Sequence, residues 1–328
     1  MKTNKLRWGI IGAGGIANSF VQDFRWMENA TLIAIAARDI SRAQAFASQY
    51  QIPQALSYEE LYLSAEIDAV YIATLHHLHY EQALRCIEQG KAVLCEKPIT
   101  INLAQINDLV IAAKKARVFL MEAMWTYFLP AIHQAKKWLD EGKIGKLKVI
   151  QSDFAYPMDK VAQAKMFNPN LAGGSLFELG IYPIAIADYF TNQAPVSISA
   201  SGKISASGVD ESLAITLQYS EVIATLFSSI ITRMSNAARF FGENGYIEIP
   251  DFWQAKSCKL YNTDYQLVES FEDNRQSHGF IFEMQHANDL ILAGKHESDI
   301  MPHSRSEAIQ ETMDEARRQI KLKYPFED

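Results

Sequence analysis

The chain has 328 residues, more than one hydrophobic core usually organises, so two domains are expected. Its 31 basic residues against 38 acidic ones give a net charge of −7, with no basic tail to neutralise nucleic-acid phosphates. No apolar run reaches the ~18 residues of a membrane span, and the three cysteines, Cys86, Cys95 and Cys258, form no CxxC pair that would signal zinc or a disulfide framework. With no signal-peptide pattern before the first strand, a cytoplasmic globular protein without a metal is the expectation.

In the N-terminal third, short apolar runs alternate with amphipathic stretches. Residues 6–12, 31–37, 69–74, 92–95 and 118–121 read as strands, and helical patterns occupy 41–50, 80–89 and 103–115. Near-continuous apolar strands separated by helices imply a parallel sheet covered on both faces, the doubly wound α/β architecture. After residue 125 the texture changes. A helix over 128–141 ends at Gly142, and β-rich segments follow at 147–156, 196–204, 212–219, 222–231, 237–241 and 258–269. Short turns between them predict an open, mostly antiparallel sheet in an α+β domain. One helix, 175–189, interrupts the strands, and two more close the chain near 279–292 and 304–321. The expected division is a dinucleotide-binding domain over 1–125 and a substrate-binding, oligomerising domain over 126–328. The terminal helices are free to pack back on the first domain.

Gly12-Ala13-Gly14-Gly15-Ile16-Ala17 is a G-x-G-x-x-A turn between an expected strand and an expected helix, the setting dinucleotide binding requires. Gly12 permits the tight turn, Gly14 the approach of a pyrophosphate, and Ala17 close helix–strand packing. The first helical N–H groups, around Gly15 and Ile16, then meet the phosphates. At the end of the second strand, Ala37 stands where an NAD enzyme places a carboxylate for the ribose 2′-hydroxyl. Arg38 and Arg42 follow, and a guanidinium fork suits a 2′-phosphate. NADP is therefore the expected cofactor and NAD the alternative. Asp39, one residue late, reads as a cap of the next helix.

Glu96-Lys97-Pro98 follows the strand at 92–95, at a carboxyl strand end where such sheets present ligands. A lysine there favours an alkoxide and lowers the pKa of a neighbouring acid. Thr74, His77 and His79 lie at the loop closing the 69–74 strand and are expected over the cofactor; with His76 they make no recognised zinc pattern. Further on, Gly173 and Gly174 turn the chain into a helix on which Glu178 and Tyr182, four residues apart, share one face. Each element has an ordinary alternative, a plain loop for the tripeptide and a core tyrosine for the helix.

Together, GxGGxA, EKP and GGxxxExGxY in this order resemble the glucose–fructose oxidoreductase / inositol dehydrogenase / MocA family over nearly the whole chain. Residues 75–86, 93–98 and 119–125 are similar to its dimeric dihydrodiol dehydrogenase and NADP-xylose dehydrogenase branch. The resemblance implies a Rossmann domain followed by an open sheet whose exposed face serves homodimer or homotetramer contacts. It also implies hydride transfer between NADP and a CH–OH group of a sugar or cyclic diol. By position, Lys97 matches the family lysine, Tyr182 the acid/base, Glu178 a site often Asp, and His79 a histidine near the nicotinamide. Leu75 stands where a proline is common, and Tyr127 where an arginine is common. Trp125, Phe154 and Trp253 are candidates to receive a carbon ring or sugar face. A redox sensor that binds NADP without turnover and a nicotinamide-dependent glycosidase are the alternatives.

Overall fold

The computed structural model describes residues 5–327. In chain order the first elements are β1 (Leu6–Ile11), α1 (Gly15–Phe24), β2 (Ala30–Ala36), α2 (Ile40–Tyr50), β3 (Gln54–Leu56), α3 (Tyr58–Leu63), β4 (Ala69–Ile72) and α4 (His76–Glu88). Then come β5 (Ala92–Glu96), α5 (Leu103–Ala116), β6 (Leu120–Ala123), α6 (Pro130–Asp140), β7 (Leu147–Ala155), a π-turn (Leu176–Gly180) and α7 (Ile181–Thr191). Strands β8 (Ser197–Ile204), β9 (Asp210–Gln218), β10 (Ile223–Ser229), β11 (Ala237–Gly242), β12 (Gly245–Pro250), β13 (Ser257–Asn262) and β14 (Leu267–Glu272) follow, then α8 (Phe280–Leu292) and α9 (His303–Ile320). Among the described residues, no helix is long and apolar enough to cross a membrane.

Contacts divide the chain into two units. The first takes the residues up to Trp125 together with Gln276–Glu307. Its six-stranded sheet has the order β3-β2-β1-β4-β5-β6, and every pair is parallel. β4 and β5 are buried along their whole length, which is why they read as unbroken apolar runs. The strand order reverses between β1 and β4, so the loops after these strands meet at the carboxyl edge, where doubly wound sheets bind ligands. β3 has three residues and carries no readable periodicity. α8 belongs to this unit: the Trp8 indole donates to Asn288 Oδ1 at 3.1 Å, and Asp23 accepts from the N–H groups of His278 and Gly279 at 2.8 and 2.9 Å.

The second unit takes Thr126–Arg275 and the residues from Ala308 onward. Its eight strands run β14-β13-β12-β11-β7-β10-β9-β8, antiparallel except for β7 beside β10. β9 and β10 alternate buried and less buried residues because one face is covered, α7 lying on β7 and β10 and α6 on β12 to β14. The segment at 258–269, expected as continuous β structure, is a hairpin. Asn262 Oδ1 accepts from Asp264 N and Gln266 N, and Tyr265 takes φ +61°, so the chain turns between β13 and β14. β12 escapes the sequence pattern because its alternation is short and bounded by Gly245 and Pro250. The helix expected over 175–189 is broken into the π-turn and α7.

Candidate active site

In the first unit the chain leaves β1 through Gly12. This residue has φ +106°, and a Cβ there would lie 2.6 Å from the Ala73 carbonyl oxygen, so only glycine fits the turn. The Gly12 N–H donates to Ala36 O at 2.8 Å, tying the turn to the end of β2. No side chain caps α1 at Gly14, and a Cβ on Gly15 would meet nothing within 4 Å. The first N–H groups of α1 therefore start at an open position, with Ile16 exposed and Ala17 fully buried beneath. Such a helix start attracts a pyrophosphate.

Arg38 and Arg42 are both exposed at the carboxyl end of β2 and the start of α2. The Arg42 guanidinium donates to Ala13 O at 3.1 Å and so reaches the glycine turn. Asp39 is the cap of α2: its Oδ1 accepts from Ser41 N and Oγ at 2.9 and 2.8 Å, which holds the carboxyl below its ordinary pKa.

The loops after β4 and β5 are joined from behind by His79. Its ring nitrogens lie 2.8 Å from Pro98 O and 3.2 Å from Thr74 O, and burial pushes its pKa down to about 3. None of its surface is exposed, so His79 sits beneath the loops rather than at their face. The Thr74 hydroxyl donates to Gln82 Oε1 at 2.6 Å, and His77 is half-buried in the first turn of α4. Among the described residues, no group of three His, Cys, Asp or Glu could hold a metal ion.

Lys97 is 8% exposed, and its peptide bond to Pro98 is cis. Its N–H donates to Glu96 Oε2 at 3.3 Å, and the Tyr71 hydroxyl donates to the other Glu96 oxygen. Two further acids surround this strand end that sequence reasoning missed. Glu122 on β6 accepts from Ile99 N at 3.0 Å; burial pushes it up to about 7, with the Lys97 charge pulling the other way. Glu283 on α8 is fully buried and raised well above its ordinary pKa, first by burial and then by the charge of Glu96. The signal for both was a lone acid inside an apolar stretch, FLMEAMW and FIFEMQ. Trp125 stacks on Phe280 with ring centres 4.6 Å apart, an aromatic partner that also went unread.

In the second unit, Gly173 and Gly174 are required by close approach. A Cβ on Gly173 would lie 2.7 Å from the carbonyl oxygens of Lys165 and Met166, and Gly174 takes φ +122°. The turn leads into the π-turn carrying Glu178, which is half-buried, and then into α7, where Tyr182 is 8% exposed. The Tyr182 ring packs edge-to-face on Phe154 at 5.3 Å, Phe154 stacks on Trp253 at 4.3 Å, and Tyr156 meets Trp253 edge-on at 5.7 Å. Phe154 and Trp253 thus join Tyr182 in one aromatic cluster, to which the structure adds Tyr156. Tyr127 is fully buried, its hydroxyl donating to Ala185 O of α7 at 2.6 Å, so this departure from the family pattern is absorbed in the packing beneath the Tyr182 helix.

Known proteins match both units. Residues 6–124 fit the family described as an oxidoreductase family with an NAD-binding Rossmann fold, and residues 132–248 fit the GFO/IDH/MocA C-terminal domain. The chain is 36% identical over 329 residues to trans-1,2-dihydrobenzene-1,2-diol dehydrogenase of Xenopus tropicalis, covering 97% of this chain and 99% of that protein. It is 34% identical over 336 residues to the Mus musculus protein of the same name, covering 98% of each. The crystal structure of aldose-aldose oxidoreductase from Caulobacter crescentus superposes with a TM-score of 0.88 at 25% identity, covering 97% of this chain and 98% of that one. A glycine turn that only glycine can make, a parallel sheet with the EKP strand end, and full-length likeness to such dehydrogenases lead to one assignment: the chain belongs to the GFO/IDH/MocA family of oxidoreductases with an NAD-binding Rossmann fold.

Proposed function

We propose that this protein is an NADP-dependent dehydrogenase acting on the CH–OH group of a cyclic diol or a sugar. The residues of the first unit fit a dinucleotide: Gly12 makes a turn that only glycine fits, Gly15 faces open space, and α1 begins without a side-chain cap. The turn at 12–17 would hold the pyrophosphate, Arg38 and Arg42 the 2′-phosphate, and Thr74, His77, Glu96 and Lys97 the nicotinamide end. A nicotinamide bound there would supply the acceptor for a hydride from the carbinol carbon. Tyr182 takes the proton of the substrate hydroxyl, Lys97 stabilises the oxygen as it gains charge, and Glu178 orients Tyr182 or a second hydroxyl.

The observation that carries this reading is the aromatic cluster around Tyr182. A phenol set against Phe154, which itself stacks on Trp253, offers one proton-transfer group on an apolar wall, which suits a carbon ring bearing adjacent hydroxyls. The name shared by the full-length relatives, a trans-dihydrodiol dehydrogenase, agrees with it. The test is a panel of trans-dihydrodiols, pentoses, hexoses and inositols, followed by reduced-nicotinamide absorbance with NADP and NAD in parallel. Turnover is expected with a cyclic diol or a sugar and NADP. Tight NADP binding without turnover would point to a sensor, and glycoside cleavage without net NADPH to a glycosidase.

The same reading extends to assembly and location. The face of the second sheet carrying Phe241, Tyr246, Tyr261 and Tyr265 would join copies of the chain, and three buried free thiols suit a reducing compartment such as the cytoplasm.

A further inference from the structure

Asp210, the first residue of β9, is fully buried. Its Oδ2 accepts from Ser175 Oγ at 2.7 Å and from Leu176 N at 2.8 Å. Leu176 opens the π-turn, whose own preceding residue provides no side-chain cap. The cap is therefore supplied by a strand 34 residues further along the chain. Such a carboxylate satisfies an orphan N–H and suits the positive end of a helix.

The neighbours of this cap are tightly fitted. A Cβ on Gly174 would fall 2.1 Å from Asp210 Oδ1, so the carboxyl occupies the space that the glycine leaves. Ser175 Oγ lies 3.1 Å from Ser228 Oγ on β10, and a Cβ on Gly180 would come within 2.9 Å of the same Ser228 oxygen. One serine thus touches both ends of the π-turn. Outside the turn, the Tyr324 hydroxyl donates to Gly173 O at 2.8 Å, and the Arg317 guanidinium lies over the Tyr324 ring at 4.9 Å. π-turns are rare and recur at functional sites.

We propose that Asp210 is a positioning residue for the acid/base group: through Ser175 and Leu176 it fixes the start of the π-turn and hence the placement of Glu178 and Tyr182. This rests on the reading of Tyr182 as the acid/base. Burial pushes the Asp210 carboxyl up to about 6 against the pull of Ser175 and Leu176, so the fold keeps it there at a cost to stability near neutral pH.

The test is a cycle of Asp210→Ala, Tyr182→Phe and the double variant, with kcat and KM measured on the best substrate. Asp210→Ala should lower kcat at least about tenfold and leave KM for NADP unchanged, since misplacement of a catalytic group is felt in turnover. Asp210→Asn, whose carboxamide oxygen still accepts from both donors, should recover most of that loss. The double variant should be no slower than Tyr182→Phe alone. Multiplying losses, or full turnover in Asp210→Ala, would overturn the proposal. Full turnover in Tyr182→Phe would instead overturn the acid/base reading on which it rests. Should Asp210→Ala fail to fold, Ser175→Ala removes one of the two bonds and should cost about threefold in kcat at constant KM; an unchanged kcat there counts against the proposal.

Discussion

At the scale of single residues, Lys97 is a cation held 8% exposed among acids, with Glu96 beside it and the Glu122 carboxyl feeling its charge. A group kept there chiefly for chemistry should matter far more to turnover than to cofactor binding. Lys97→Met is expected to bind NADPH within about threefold of wild type, read by nicotinamide fluorescence, and to lose at least about 100-fold in kcat. Unchanged turnover would remove Lys97 from the mechanism. Under the proposed function Arg38 carries the choice of cofactor, because Asp39 is engaged in capping α2 and Ala37 has no carboxylate. Arg38→Ala should raise KM for NADP about tenfold while leaving KM for NAD alone. Equal effects on both cofactors would show that Arg38 does not read the 2′-phosphate.

At the scale of elements, α8 shows how a helix can bury a charge inside an ordinary apolar stripe. Its buried residues are Phe280, Glu283, Met284, Ala287 and Asn288, the spacing of one helical face. Asn288 is paid for by the Trp8 indole, but neither carboxyl oxygen of Glu283 has a hydrogen-bond partner among the described residues. Tyr71 on β4 and Glu96 on β5 face it electrostatically. An acid whose pKa is raised by folding adds stability at low pH and loses it as pH rises through the folded value. Between the unfolded value near 4.5 and the raised one, the loss is about 1.4 kcal/mol per pH unit. Glu283→Gln should therefore melt near wild type at pH ~5 and increasingly above it towards pH ~8. A difference that does not change with pH would mean that Glu283 ionises normally.

At the scale of the whole molecule, the second sheet is covered on one face, and its other face carries a run of stacked aromatics. Phe241, Tyr246, Tyr261 and Tyr265 lie ring to ring at 4.6 to 6.0 Å, and Tyr265 is 77% exposed. Under the proposed assembly this face joins copies of the chain, as apolar surface patches commonly do. Tyr246→Asp should shift the protein from an oligomer to a monomer by light scattering, with kcat per chain within about twofold. A wild-type monomer, or a variant of unchanged mass, would rule this face out as the interface.

What the sequence determined by itself was local or periodic: the parallel sheet from unbroken apolar strands, the glycine turn, the Asp39 cap, and the family from three motifs in order. Two kinds of feature were not legible. β3, β12 and the β13–β14 hairpin were too short, or too closely bounded by turn residues, to show alternation. The π-turn, the distant cap from Asp210, the burial of His79, Glu122 and Glu283, and the pairing of Tyr127 with α7 depend on contacts between segments far apart in the chain. Spacing reveals which residues share a face. Only the tertiary structure decides what that face meets, because burial and hydrogen-bond partners are properties of the packed chain.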